Sequence, residues 1–67
     1  MTDSADQYVF YDSHVECSRR VDLEVIAFAK LVMDETQQLV ARIVLLRQLC
    51  PRVNPFEAMA IIRHLDR

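Results

Sequence analysis

Glycine is absent from the 67-residue sequence, and only two prolines are present. Glycine adopts a positive φ more easily than any other residue, so a tight β-hairpin turn is not expected, and such a turn must use Asn, Asp or a looser loop. The sequence therefore favours helices joined by few breaks. Both prolines, Pro51 and Pro55, lie in the segment LCPRVNPFEA, and we expect one helix to end near Leu49, ahead of the first proline.

Long apolar runs are also missing. No stretch approaches the roughly 18 apolar residues that a membrane-spanning helix needs, and Lys30 interrupts the most apolar region. The first residues, MTDSADQ, are acidic and lack the apolar centre of a secretory leader. Cysteine is scarce, since Cys17 and Cys50 could form at most one disulfide. We therefore expect no membrane association and a cytoplasmic location in which both thiols are free.

Clustered basic charge is a further feature that the sequence lacks. The net charge is −2, and from Cys17 onward eight basic residues accompany six acidic ones, whereas the charged residues before Cys17 are all acidic. A nucleic-acid-binding surface usually shows a clustered basic stripe and a high pI, but the pI here is about 5.5. Nucleic acid is therefore a less favoured partner than protein.

An apolar stripe at helical spacing dominates the middle of the sequence. Its members fall within a narrow sector when each residue is advanced by about 100°, and they are Val21, Val25, Phe28, Val32, Leu39, Ile43, Leu46 and Cys50. The segment RRVDLEV alternates like a strand, but the helical register that continues after it favours helix, and Ser13 with Glu16 fits a capping box. The stripe crosses MDETQQ without losing phase, so it predicts one helix from about Asp22 to Leu49.

A helix of that length is on the order of 40 Å at about 1.5 Å per residue, which is longer than a compact monomer of this size is wide. It would need a partner along its length, so we expect a homodimer assembled around the stripe. The alternative is a helical hairpin broken near Asp34, with Asp34 as N-cap and Gln37 as its capping-box partner. We favour the long central helix, because no glycine or proline assists a reversal at MDETQQ.

The clearest local signal is the start of a C-terminal helix. Asn54 is a suitable N-cap, Pro55 suits the first helical position, and Glu57 is placed to complete a capping box. A short helix is predicted from Pro55 to about Leu65, wedged between neighbours because it is apolar on most sides. The predicted fold is thus a single all-α domain over residues 1–67, a dimeric helical assembly with a flexible or extended arm over residues 1–12.

The segment QYVFYDS contains three of the five aromatic residues of the chain. Without glycine or a second convincing strand, an intramolecular β-hairpin is not expected, so this segment crosses to a dimer mate, docks on a target or packs over its own helices. Aromatic side chains are enriched at the energetic centres of interfaces. Tyr8, Phe10 and Tyr11 are therefore the first predicted partner-binding residues. Three arginines that could meet an acidic surface are the second set: Arg42, Arg47 and Arg52.

Metal-binding and catalytic residues are sparse. His14 and Cys17 have a His-x-x-Cys spacing, and with Cys50 and His64 they would supply four ligands that zinc accepts. Only one close pair is present, however, and Cys50 is in phase with the apolar stripe, where cysteine behaves as a small hydrophobic residue. No oxyanion loop or catalytic signature accompanies either thiol. The sequence predicts no metal, no cofactor, no small-molecule substrate and no enzymatic activity.

The apolar surface exceeds what the chain can cover by itself. Further apolar residues lie outside the stripe, and one short C-terminal helix cannot bury them: Leu23, Ile26, Ala27, Leu31, Met33, Val40, Val44, Leu45 and Leu49. Monomers rarely expose apolar patches larger than a few hundred Å². We therefore expect a small homodimeric module that binds and modulates a larger protein as an adaptor, inhibitor or assembly factor. The alternative is a small dimeric DNA-binding transcriptional regulator.

Overall fold

The computed structural model describes residues 7–66, and it shows an α+β arrangement. Two strands come first, β1 (Gln7–Asp12) and β2 (Cys17–Asp22), followed by three helices, α1 (Leu23–Glu35), α2 (Leu39–Leu49) and α3 (Pro55–Leu65). The strands pair as a two-stranded antiparallel sheet. The all-α prediction is therefore wrong, because the segment expected to be an arm and the residues RRVD, expected to be helical, form a β-hairpin.

The β-hairpin is closed by a turn that contains no glycine. Asp12 pairs with Cys17 at the end of the ladder, and the four residues between them form the turn. Glu16 adopts a φ of 53°, and the backbone N–H of His14 donates to Asp12 Oδ1 at 3.0 Å. The expectation that the chain would avoid an intramolecular hairpin is wrong because a glutamate occupies the left-handed position. Ser13 and Glu16 are turn residues rather than a capping box.

The sheet has an inner and an outer face. Directly paired residues share a face, so Tyr8 with Val21 and Phe10 with Arg19 point inward. Val9 and Tyr11 lie on the outer face, and each is 56% exposed. The alternation in RRVD thus belongs to a strand, which ends where α1 begins at Leu23. Residues 1–6 of the predicted arm lie outside the described residues.

The predicted long helix is wrong because the chain turns at residues 36–38. At about 1.5 Å per residue, α1 and α2 are roughly 20 Å and 16 Å long instead of about 40 Å. The turn is held by Arg42, whose Nε donates to the Thr36 carbonyl at 2.6 Å and whose second guanidinium nitrogen donates to the Met33 carbonyl at 3.1 Å. The break is near Asp34, but Asp34 lies inside α1, and Gln38 is the N-cap of α2.

The C-terminal helix confirms the predicted bounds and the predicted N-cap. α3 spans Pro55–Leu65, and the Asn54 side-chain oxygen accepts a hydrogen bond from the Glu57 backbone N–H at 2.7 Å. The preceding helix ends at Leu49, as expected. The inner side of α3 is fully buried at Ala58 and Ile61, and the helix packs against β1, α1 and α2. It is therefore wedged between neighbours, as its apolar composition predicts.

The core lies between the β-hairpin on one side and α2 on the other, with α1 and α3 between them. Its buried apolar members are Phe10, Val21, Val25, Ile26, Ala29, Val32, Leu46, Val53, Ala58, Ile61 and Ile62. Four residues of the predicted stripe are thus inside one subunit, Phe28 and Ile43 are half-buried, and Leu39 is exposed. The stripe comes from one strand and two helices rather than from one long helix, and the homodimer itself stays a prediction.

Across residues 7–66, every helix is too short or too polar to cross a membrane.

Candidate functional site

Two of the three predicted aromatic contact residues point into the protein. Phe10 is 5% exposed, and its ring stacks on His64 with centroids 4.5 Å apart. The Tyr8 hydroxyl lies 2.8 Å from His64 Nε2 in a hydrogen bond. Tyr11 alone faces solvent. The rings of Tyr8 and Phe10 therefore pack β1 against the end of α3. The role of the three aromatic residues as partner contacts stays a prediction.

The predicted arginines occupy three different environments. Arg42 is 9% exposed and holds the turn between α1 and α2. Arg47 lies on the surface, and its Nε donates to the Val53 carbonyl at 3.1 Å, bracing the loop before α3. The Arg52 side chain is 88% exposed and lies 3.9 Å from Asp22. They do not form one basic patch, since Arg42 is buried within α2, whereas Arg52 is exposed in the loop before α3.

A groove that the sequence did not predict runs between the hairpin turn and α3. We call it the hairpin–α3 groove, and its volume is about 360 Å³. It is lined by Asp12, His14, Val15, Arg19, Phe56, Met59, Ala60 and Arg63. A neighbouring depression of about 220 Å³ shares Asp12, His14, Ala60 and Arg63 and extends to Tyr11. The two form one continuous surface, and two of the predicted contact residues, Phe10 and Tyr11, line it.

The groove exposes large apolar side chains. Phe56 is 73% exposed and Val15 is 52% exposed. Phe56 is held on the first turn of α3 by the cap at Asn54, so it does not depend on a mobile loop end. Isolated exposed apolar residues are common, but a contiguous group bounded by polar side chains is typical of an interaction surface.

Sequence reasoning missed Phe56, Val15 and Arg63 as candidate site residues. Their only signal was on α3, where Phe56, Ala60 and Arg63 recur at helical spacing. Val15 joins them only because the hairpin folds back on α3, and the sequence did not predict that hairpin.

The charges around the groove are partly neutralised. Arg19 Nε and Asp12 Oδ2 form an ion pair at 2.6 Å. The hydrogen bond from Arg19, helped by the His14 backbone N–H, holds the pKa of the Asp12 carboxyl below its ordinary value of 3.8 despite partial burial. Arg63 contacts His14 Nε2. With Asp12 and Arg19 compensating each other, Arg63 leaves the groove cationic on a chain whose net charge is −2.

The cysteines and histidines do not converge. His14 contacts Arg63, whereas His64 contacts Tyr8, and in the described part of the chain no three His, Cys, Asp or Glu side chains are close enough together to hold a metal ion. Cys50 lines a separate cavity of about 400 Å³ between β2, α1 and the loop before α3. Burial, reinforced by Glu24, raises the pKa of the Cys50 thiol, so little nucleophilic thiolate forms at neutral pH.

Comparison of the chain with protein-family models, with curated proteins and with solved structures finds no match.

Proposed function

We propose that this protein is a small non-enzymatic protein–protein interaction module that binds and modulates a larger protein in the cytoplasm as an adaptor, inhibitor or assembly factor. The hairpin–α3 groove is its binding surface. The observation that carries the proposal is the exposed apolar pair Phe56 and Val15, held on a helix and a hairpin turn and bordered by Arg63. Apolar anchors with an arginine at the rim match the composition of protein interfaces.

The groove suits a segment of a protein partner better than a small molecule. It is open and shallow, and its most exposed ring, Phe56, projects from the surface, whereas small-molecule sites bury most of their ligand. A typical stable interface buries about 800 Å² on each partner. Tyr11 borders the groove, and Tyr11 and Val9 add exposed apolar area on the adjoining sheet face.

The chemistry of the titratable side chains favours binding over catalysis. Cys50 has a raised pKa, and His14 and His64 already contact Arg63 and Tyr8. Catalytic nucleophiles are instead activated by a lowered pKa or an adjacent base. The cytoplasmic location is supported by Cys17 and Cys50, which are not joined in a disulfide.

The test is quantitative capture from the native host with tagged wild type, Phe56→Ser and Leu31→Ser. Leu31 is 60% exposed on α1 and does not line the groove, so it is the matched control. We expect a discrete set of proteins to be captured by wild type and Leu31→Ser and lost with Phe56→Ser. Melting curves establish that both variants are folded. Capture of the same proteins by all three would contradict the groove as the binding surface.

The alternative, a DNA-binding regulator, has one supporting feature. The two strands form a ribbon within one subunit, and its outer face carries the exposed residues Gln7, Ser18 and Arg20. Ribbon-type regulators read the major groove with such a face. Val9 and Tyr11 share this face, and one arginine supplies little phosphate affinity. A gel-shift assay with mixed duplex DNA at low salt tests it, and absence of retardation there counts against it.

A further inference from the structure

The outward side of α2 is a second apolar surface, separate from the hairpin–α3 groove. The helix LVARIVLLRQL is apolar on nearly all sides, and its inner side carries the buried residues Arg42 and Leu46. On the outer side, Val40 is 72% exposed and Val44 is 49% exposed. A helix that is apolar all round is normally covered on every side, but α1 and α3 cover only one side of α2.

This surface has complementary halves. Val40 projects from its first turns, whereas a shallow depression of about 300 Å³ lies toward its end, lined by Ile43, Val44, Arg47, Gln48 and Pro51. A twofold axis between positions 43 and 44 would place position 40 of one helix opposite position 47 of the other. The projecting Val40 of each copy then faces the depression of its mate, which is the self-complementarity that a twofold interface requires.

The charges at the two ends are complementary as well. The last residues of α1, Asp34 and Glu35, are exposed beside the start of α2, whereas Arg47 and Arg52 are exposed at its end. Among the ion pairs of residues 7–66, none involves Asp34, Glu35 or Arg47. An antiparallel arrangement brings the acidic end of each copy to the basic end of the other, whereas a parallel arrangement would place like charges together.

We propose that the outward side of α2, here called the α2 face, is a self-association surface at which a second copy of the chain packs antiparallel across a twofold axis. This goes beyond the proposed function, since it concerns a different surface and a different partner. It also differs from the stripe predicted to form a dimer, because most of that stripe is core. A helix of 11 residues buries less than the roughly 800 Å² per partner of a typical stable interface, so the association is weak and depends on concentration.

The experiment is sedimentation equilibrium on the full chain over micromolar to millimolar concentrations. For wild type, we expect the weight-average mass to rise from 7.8 kDa toward twice that value. Val44→Asp should remain monomeric, because it places a charge at the centre of the α2 face. Val9→Asp, a matched change on the outer sheet face, should associate like wild type. A wild type that stays monomeric, or association that survives Val44→Asp, overturns the proposal.

Charge reversal tests the antiparallel geometry. Arg47→Glu and Glu35→Arg alone each create two like-charge contacts per dimer, so each should weaken association by roughly tenfold. An equimolar mixture of the two, or the double variant, restores two opposite-charge contacts and should recover association. Failure of both to recover it overturns the antiparallel arrangement. Melting curves exclude unfolding, and Phe56→Ser should associate normally, so failure of the groove proposal is distinguishable from failure of this one.

Discussion

Replacing Arg42 with methionine tests how the chain turns between α1 and α2. Methionine keeps an unbranched apolar stem in the buried position but removes every donor. The Thr36 and Met33 carbonyls lose their hydrogen bonds of 2.6 and 3.1 Å, and Asp66 loses a contact of 3.5 Å. Since these contacts join α2 to the end of α1 and to the end of α3, the change reports on the packing of all three helices.

The expected cost follows from the environment of each bond. Hydrogen bonds from a charged donor contribute about 1.5–3 kcal/mol each, but Met33 and Thr36 are half-buried, so water partly replaces the lost donor. We therefore take about 1–1.5 kcal/mol for each of the two bonds, at or just below the lower end of that range, and expect a loss of about 2–3 kcal/mol. A domain of 67 residues has a free energy of unfolding of about 3–10 kcal/mol at roughly 0.05–0.15 kcal/mol per residue.

The assay is urea unfolding followed by far-UV circular dichroism. With an m-value of about 1 kcal/mol/M, the midpoint should fall by about 2–3 M. Arg42→Lys should lose most of the same stability, because one ammonium lacks the planar fork that reaches both carbonyls. Asp66→Asn should cost less than about 0.5 kcal/mol, since the Asp66 side chain is 68% exposed. A midpoint shift below about 0.5 M for Arg42→Met, or equal losses for Arg42→Met and Asp66→Asn, would refute the reasoning.

Two further predictions concern the hairpin turn. Asp12→Asn should lower stability at neutral pH, and the difference in stability from wild type should shrink below pH 3.8. The pKa of Asp12 is lower in the folded state than its ordinary value of 3.8, so the ionised carboxylate stabilises the fold above pH 3.8. This stabilisation is lost as the pH falls through the folded-state pKa. Urea midpoints at pH 7 and pH 3 measure this, and a constant difference would count against the Arg19 pair. Glu16→Gly should stabilise by about 0.5–1 kcal/mol by relieving the positive φ, whereas Glu16→Ala, which keeps the Cβ atom, should give no gain; equal midpoints for both variants would contradict this explanation.

The parts of the fold that the sequence predicts correctly are those determined by neighbouring residues. The start of α3 depends on Asn54, Pro55 and Glu57, which lie within four consecutive positions, and the end of α2 lies at Leu49, before a proline. Capping boxes and proline positions act within one helical turn, so they can be recognised without knowing the rest of the fold.

The parts that it predicts wrongly depend on contacts between distant residues. The turn at residues 36–38 is stabilised by Arg42 bonding to carbonyls behind it, which no local pattern reveals. The apolar stripe keeps its helical spacing across this turn although α1 and α2 are separate helices. Val32 in α1 and Leu46 in α2 both face the core. Their matching phase reflects a shared core rather than a shared helix.

The absence of glycine predicts that no tight β-hairpin forms, but the structure contains one. Glycine lowers the cost of a positive φ, but Glu16 adopts one at a cost of roughly 1–2 kcal/mol. The Asp12–Arg19 pair and burial of Phe10 against His64 offset this cost. The candidate groove could not be predicted for the same reason, since Val15 and Phe56 line one groove only when the hairpin has formed.

The two proposed surfaces are structurally independent, and this has a consequence for affinity. The groove is built from the hairpin and α3, whereas the α2 face lies beyond α1 and α3 on the other side of the core. A dimer formed through α2 leaves both grooves open, so it presents two identical binding surfaces. A partner that carries two target segments would bind the second one intramolecularly, with avidity set by the spacing of the segments. Weak self-association at α2 could therefore strengthen partner binding without adding any contact in the groove.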